Sequence, residues 1–221
     1  HDVPAMGAAP SSVAVVEPGT ERPVAMGAPP EAGHRPADPD RPVQLLCVAT
    51  VTPRKGHSLL LQALGNLTAL KWTLHCVGSL TRDTAEVAAV QAQSQRPGLA
   101  GRVRWHGEVS AAALQAHYAN ADLLVLPSLH EGYGMAVAEA LAAGLPVLAS
   151  SAGALAQTLP PQAGWQVPPG DVPALQTALQ TLISDAALRA RLAAGATAAG
   201  QRLPSWPQQA ARMAAVLEDL L

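Results

Sequence analysis

Apolar and polar positions change their spacing in a regular order after residue 42. Val43–Val51 is an apolar run rich in β-branched residues, the pattern of a strand buried on both faces. His57–Leu67 switches to helical spacing, with Leu60, Leu61, Leu64 and Leu67 on one side. The alternation then repeats. Lys71–Val77 predicts a strand, Thr81–Gln95 a helix and Arg102–His106 a short strand. Ser110–Ala119 predicts a helix with Ser110 as its N-cap, and Asp122–Leu126 another strand. Gly134–Ala143 predicts a helix closed by Gly144, and Leu145–Ser150 a strand. Gly164–Val167 is a shorter, sixth strand. Beyond Asp171 the pattern is helical: Val172–Ser184, Ala186–Gln201 and Pro207–Leu221. Asp171 and Ser205 each stand close to a proline at a helix start, as capping residues do.

Strands alternating with helices at this spacing predict an α/β fold: a doubly wound, Rossmann-like parallel sheet with helices on both faces. Right-handed crossovers gather the strand-to-helix loops at the carboxyl edge, where such sheets bind ligands. Those loops are Thr52–His57, Gly78–Arg82, Gly107–Ser110, Pro127–Met135 and Ser150–Leu155. Residues 1–42 differ from the rest. They are rich in Pro, Gly and Ala, with one strand-like run at Val13–Val16, a turn at Glu17–Thr20 and a linker from Pro29 to Pro42.

Composition narrows the picture. Charged residues make up only 14% of the 221 positions and the net charge is -2, so no basic surplus calls for nucleic acid. Any anion site has to be local. Much of the apolar content is Ala and aromatics are 3%, which predicts Leu/Val/Ala packing with closely set helices. Cys47 and Cys76 sit inside apolar runs and read as buried thiols. No run reaches 18 apolar residues, and the N-terminus lacks signal-peptide character, so the expected location is the cytoplasm.

The richest loop is Pro127–Ala140: Pro-Ser-Leu-His-Glu-Gly-Tyr-Gly-Met-Ala-Val-Ala-Glu-Ala. Glu131 and Glu139 flank Gly132 and Gly134 where a strand exit becomes a helix. Glycines let the backbone approach a ligand closely, and a helix N-terminus favours phosphate. A carboxylate accepts several hydrogen bonds and so suits a pair of vicinal hydroxyls. Glu139 suits a ribose and Glu131 a sugar ring. The bland alternative is a glycine-rich turn with two solvated glutamates. The glycines, the strand before, the helix after and Gly144-Leu-Pro-Val following together weigh against it.

The stretch Ser128–Ser150 resembles the E-x7-E signature of retaining glycosyltransferases of family GT4. The resemblance implies the C-terminal, donor-binding half of a GT-B fold. It implies that Glu131 makes the catalytic contact with the donor sugar and that Glu139 binds the nucleotide ribose. The backbone of Gly132, Tyr133, Gly134 and Met135 would hold sugar and phosphate, with His130 beside them. The loop Thr52-Pro-Arg-Lys-Gly-His carries two adjacent cations before a glycine and a helix start, which suits a diphosphate. It resembles the family's strand–loop–Lys-Gly element, and Lys55 matches the phosphate-binding lysine. The family's arginine stands several residues earlier, at the place held by Thr50, so Arg54 is the substitute. Val109, after the third strand, is assigned to the base pocket on the same resemblance.

Several tempting motifs are set aside. Asp38-Pro39-Asp40 spells D-x-D but lies in the linker with no strand before it. Gly132-Tyr-Gly134-Met-Ala-Val137 misses the third small residue of a dinucleotide site, and the next strand ends in Ser150-Ser151 rather than an acid. Of the histidines, His57 and His130 lie at functional loops, while His75 and His106 read as satisfied strand residues. No spacing suggests a metal site.

The expectation is therefore the donor-binding half of an enzyme that moves a sugar from a nucleoside-diphosphate sugar, with no cofactor or metal. The alternatives are a non-catalytic nucleotide-sugar-binding module and an epimerase or phosphorylase of the same architecture. Residues 1–42 are expected to be the tail of an N-terminal acceptor domain plus a linker, 43–203 the nucleotide-sugar domain and 204–221 a crossover helix. The partners implied are a nucleotide sugar and that N-terminal domain, through which peripheral membrane association would run. The isolated chain is expected to bind donor without turning it over.

Overall fold

The computed structural model describes residues 15–21, 41–153 and 155–218. Six strands make one sheet: β1 (Val43–Val48), β2 (Trp72–Val77), β3 (Val103–Gly107), β4 (Leu123–Leu126), β5 (Val147–Ser150) and β6 (Gly164–Val167). Every neighbouring pair is parallel, in the order β3-β2-β1-β4-β5-β6. Parallel neighbours need crossovers. Helices supply them: α1 (His57–Gly65), α2 (Thr84–Ser94), α3 (Ala111–Asn120), α4 (Met135–Ala142) and the four-residue α5 (Leu155–Thr158). Three more helices follow the sheet: α6 (Val172–Ser184), α7 (Ala186–Gly200) and α8 (Trp206–Glu218). This is the doubly wound, Rossmann-like α/β fold that the alternation predicts. The strand order reverses between β1 and β4, so a crevice opens between the loops at their carboxyl ends.

The core explains the apolar runs. All four residues of β4 and all four of β5 are buried, as two-sided coverage requires. Cys47 and Cys76 are free and buried, paired in register across β1 and β2. Burial pushes the Cys47 thiol up to about 12, so it packs as a small apolar side chain. Small residues bring helices close. A Cβ on Gly200 of α7 would lie 2.1 Å from the Leu141 carbonyl oxygen of α4.

The departures from expectation have local causes. Helix α2 starts at Thr84 rather than Thr81 because the Asp83 carboxylate accepts from the Glu86 amide at 3.0 Å. Ser110, Asp171 and Asp185 cap α3, α6 and α7 in the same way. Strand β1 ends at Val48, although Val51 still donates to the Ser79 carbonyl. Val15 and Val16 form no strand, and Glu17–Thr20 is irregular rather than a turn; Val13 and Ala14 lie outside the described residues. The segment docks on the start of α8 instead, with Thr20 N–H donating to the Pro204 carbonyl at 2.9 Å. The linker from Pro29, including Asp38-Pro39-Asp40, is also outside the described residues until Arg41. Helix α8 turns Trp206, Met213 and Leu217 outward as a solvent-facing apolar stripe. Ala210 is exposed as well, Val216 is half-buried, and Leu220 lies outside the described residues.

One clamp ties β2 to the chain before it. Arg102 donates to the carbonyls of Trp72 at 3.2 Å, Thr68 at 3.1 Å and Leu70, while its guanidinium carbon lies 3.9 Å from the Trp72 ring centroid. The buried Trp72 indole donates in turn to the Leu67 carbonyl at 3.0 Å. A lysine keeps the charge but cannot reach three carbonyls in one plane. Arg102→Lys should therefore lower unfolding stability in urea by about 1–3 kcal/mol. An unchanged midpoint would show that the clamp contributes nothing.

Candidate functional site

The crevice at the sheet's reversal is built by three loops. The first leaves β1 and makes a short 3-10 turn, Pro53–Lys55, closed by Gly56 at φ 72°. A Cβ on Gly56 would lie 2.2 Å from the Pro127 carbonyl oxygen, so this loop packs directly on the second, which leaves β4. The third leaves β5. A Cβ on Gly153 would lie 2.2 Å from the Glu131 carbonyl oxygen. The Pro127–Glu131 segment is thus held between its neighbours on both sides.

Polar contacts complete the lock. The Leu129 amide donates to the Arg54 carbonyl at 2.7 Å, and the Arg54 guanidinium reaches the His130 carbonyl at 3.4 Å. The buried Ser150 hydroxyl donates to the Ser128 carbonyl. The Ser128 hydroxyl donates to Glu131 Oε2 at 3.2 Å. Lys55 Nζ lies 2.5 Å from that same oxygen, both side chains being mostly buried. Lysine and glutamate, read from two different loops, therefore meet in one ion pair.

Beyond Glu131 the chain enters α4. Gly134 is its N-cap, at φ 86°, and provides no side-chain cap. The first-turn amides and the helix dipole then favour an anion. Gly132 has open space where a Cβ would project, so the fold itself does not demand glycine there. Glu139 is half-buried farther along α4, and the buried Tyr118 phenol of α3 donates to its Oε2 at 2.7 Å. Burial, and then the Glu139 carboxylate, push the Tyr118 phenol up, so it remains a donor.

The structure brings Lys55, Arg54, His130 and Glu131 together, with Gly132–Met135 and Glu139 following in sequence on the loop and helix. Arg54 and His130 are exposed; Tyr133 and Met135 are half-buried. Burial, and then the charge of Glu17, raise the Tyr133 phenol. Val109 stands apart, half-buried at the exit of β3, two strands from β1. His57 differs from its placement at a functional loop: its ring turns into the core. Ser128, Ser150 and Tyr118 were assigned no role from the chain. Tyr118 shows no local motif and is recognisable only through its contact with Glu139.

These features define a Rossmann-like domain whose polar cluster sits at the sheet's ligand-binding edge. A model of the family "Glycosyl transferases group 1" matches residues 42–185, and the chain belongs to that family. It is 35% identical over 170 residues to the D-inositol 3-phosphate glycosyltransferase of Xylanimonas cellulosilytica, covering 76% of this chain and 40% of that relative. Sucrose-phosphate synthase of Thermosynechococcus elongatus superposes with a TM-score of 0.74 at 31% identity, over 82% of this chain and 46% of that one. Anabaena HepE, solved in complex with UDP-glucose, gives a TM-score of 0.71 at 26% identity, over 80% of this chain and 49% of that one. The GT-B type of fold follows from these neighbours. The chain spans about half the length, or less, of the curated relatives it matches. Among the described residues no helix is long and apolar enough to cross a membrane.

His57 supports the site from beneath. It is the first residue of α1, 1% exposed, with Nε2 3.6 Å from Cys47 Sγ and its ring 5.9 Å from that of Trp105. Burial, and then the charge of Lys55, lower its pKa to about 4 from an ordinary 6.5. The folded state keeps it neutral, while the unfolded chain protonates it as the pH falls below 6.5. Its contribution is intact above that pH and is lost progressively down to about pH 4, by about 3 kcal/mol. Urea unfolding at a series of pH values should show a shallower decline between pH 6.5 and 4 in His57→Leu than in the wild type. Parallel profiles would show that His57 is not the group responsible.

Proposed function

We propose that this domain binds the nucleoside-diphosphate sugar donor of a retaining glycosyltransferase of the GT4 type. The observation that carries the reading is the convergence of Lys55 and Glu131 on one point beside the uncapped start of α4. Lys55 and Arg54, with the amides of Gly132–Met135, take the diphosphate. Glu131 takes the sugar and Glu139 the ribose, with Val109 at the base. Cation and amide dipoles then face the departing diphosphate, where negative charge develops during transfer. In this reading no cofactor or metal is required, and the donor step takes place in the cytoplasm. HepE, complexed with UDP-glucose, supports a nucleotide sugar as the ligand class.

The acceptor is supplied by a second domain. The apolar stripe of α8, with Trp206, Met213 and Leu217 exposed, suits contact with it. Positioning the acceptor is worth roughly 7–11 kcal/mol of barrier, so donor binding by this chain alone is expected without measurable transfer.

The ion pair sharpens the test. Removing the Glu131 charge frees Lys55 from its 2.5 Å partner. By calorimetry, Glu131→Gln should bind UDP at least as tightly as the wild type while binding UDP-glucose several-fold more weakly. Glu139→Gln should weaken both ligands alike. Lys55→Ala loses a charge-assisted contact of about 1.5–3 kcal/mol and should weaken both by tenfold or more. GDP- and ADP-sugars are tested in parallel because the base is open. Equal losses for both ligands in the two glutamate variants would contradict the division of roles.

A further inference from the structure

His75 of β2, His106 of β3 and His117 of α3 come together at the β3 edge of the sheet, where their ligating nitrogens all lie within 4.8 Å of one another. The rings of His75 and His106 lie edge to edge in nearly one plane, with centroids 5.2 Å apart and 9° between the planes, and that of His117 stands edge-on to His106 at 4.5 Å. We propose that these three histidines bind one divalent transition-metal ion of the zinc class, with solvent as the fourth ligand.

The spacing fits. Zinc binds imidazole nitrogen at 2.0–2.1 Å in a tetrahedron, which sets nitrogen pairs about 3.3 Å apart. His75 Nδ1 and His106 Nε2 are 3.0 Å apart and face each other in line, so a metal ion replaces the proton between them once the exposed His106 ring turns to open the angle. His117 and His106 are on the outer side of the cluster, half-buried and exposed, so a side-chain rotation can close the third contact.

The tautomer fits as well. Gln44 Nε2 donates to the Pro42 carbonyl at 2.7 Å, which turns its amide oxygen toward His75. That oxygen lies 3.1 Å from His75 Nε2, so Nε2 must carry the proton and Nδ1 the free lone pair. A metal-bound histidine commonly donates its other N–H to an oxygen in this manner, fixing the ring. The bland alternative is that Nδ1 only accepts a hydrogen bond from His106 while His117 packs edge-on against His106, and the zinc titration separates the two. Arg104 pairs in register with His75 across β2 and β3. The nearby Arg104 charge works against a cation, so moderate rather than very tight affinity is expected.

The test uses tag-free protein titrated with zinc chloride in a calorimeter, and with cobalt chloride in a spectrophotometer. One equivalent of zinc should bind, and cobalt should give the intense visible bands of a tetrahedral site. His117→Ala and, independently, His106→Ala should each weaken zinc binding at least tenfold while melting like the wild type without metal. Zinc should raise the melting temperature of the wild type only. Absence of zinc binding, or affinity unchanged in both variants, would overturn the proposal.

Discussion

A single ion pair organises the ligand-facing edge of this domain. Lys55 and Glu131 are each mostly removed from water, and their contact offsets much of the hydration that each loses. Such a pair is held only if two loops are placed within a fraction of an ångström of each other. The strand order does the placing. Because the order reverses between β1 and β4, their exits lie side by side, although the two residues are 76 positions apart in the chain.

The supporting contacts all act on the same short segment. Gly56 presses on Pro127 from one side and Gly153 on Glu131 from the other, at distances no side chain would permit. Ser150 holds the Ser128 carbonyl and Ser128 holds the Glu131 carboxylate. The glutamate that we assign to the sugar is therefore oriented before any ligand arrives, which is how binding sites limit the entropy lost on association. The lysine is the group with freedom to exchange partners. Its four-carbon stem can carry the ammonium from a carboxylate to a phosphate with little change in the backbone.

Much of this was legible in the sequence, for physical reasons. Apolar runs alternating with helical spacing disclosed the strands and the sheet's parallel character, most plainly at β4 and β5, where two-sided burial leaves no polar alternation. Capping residues disclosed the starts of α3 and α6. Glu131, Glu139 and Lys55 were legible because glycines beside charges at strand exits have few purely structural uses. What escaped depended on distant contacts. The start of α2 rests on the Asp83 carboxylate, and α5 is only four residues long, too short to show a period. Tyr118 meets Glu139 across two helices. His75, His106 and His117 lie on three different elements, so no spacing along the chain could join them. The helical spacing from His57 onward is legible, but the inward turn of its ring onto Cys47 and Trp105 depends on contacts across the core.

The central claim is that the Lys55–Glu131 pair is the closed form of a donor site and opens to receive a nucleotide sugar. A crystal structure of this chain soaked with UDP-glucose or the best-binding nucleotide sugar tests it most directly. The account predicts Lys55 Nζ within hydrogen-bond reach of a phosphate oxygen, Glu131 on a sugar hydroxyl and the diphosphate against the first turn of α4. A nucleotide seated elsewhere, with Lys55 still paired to Glu131, would contradict it.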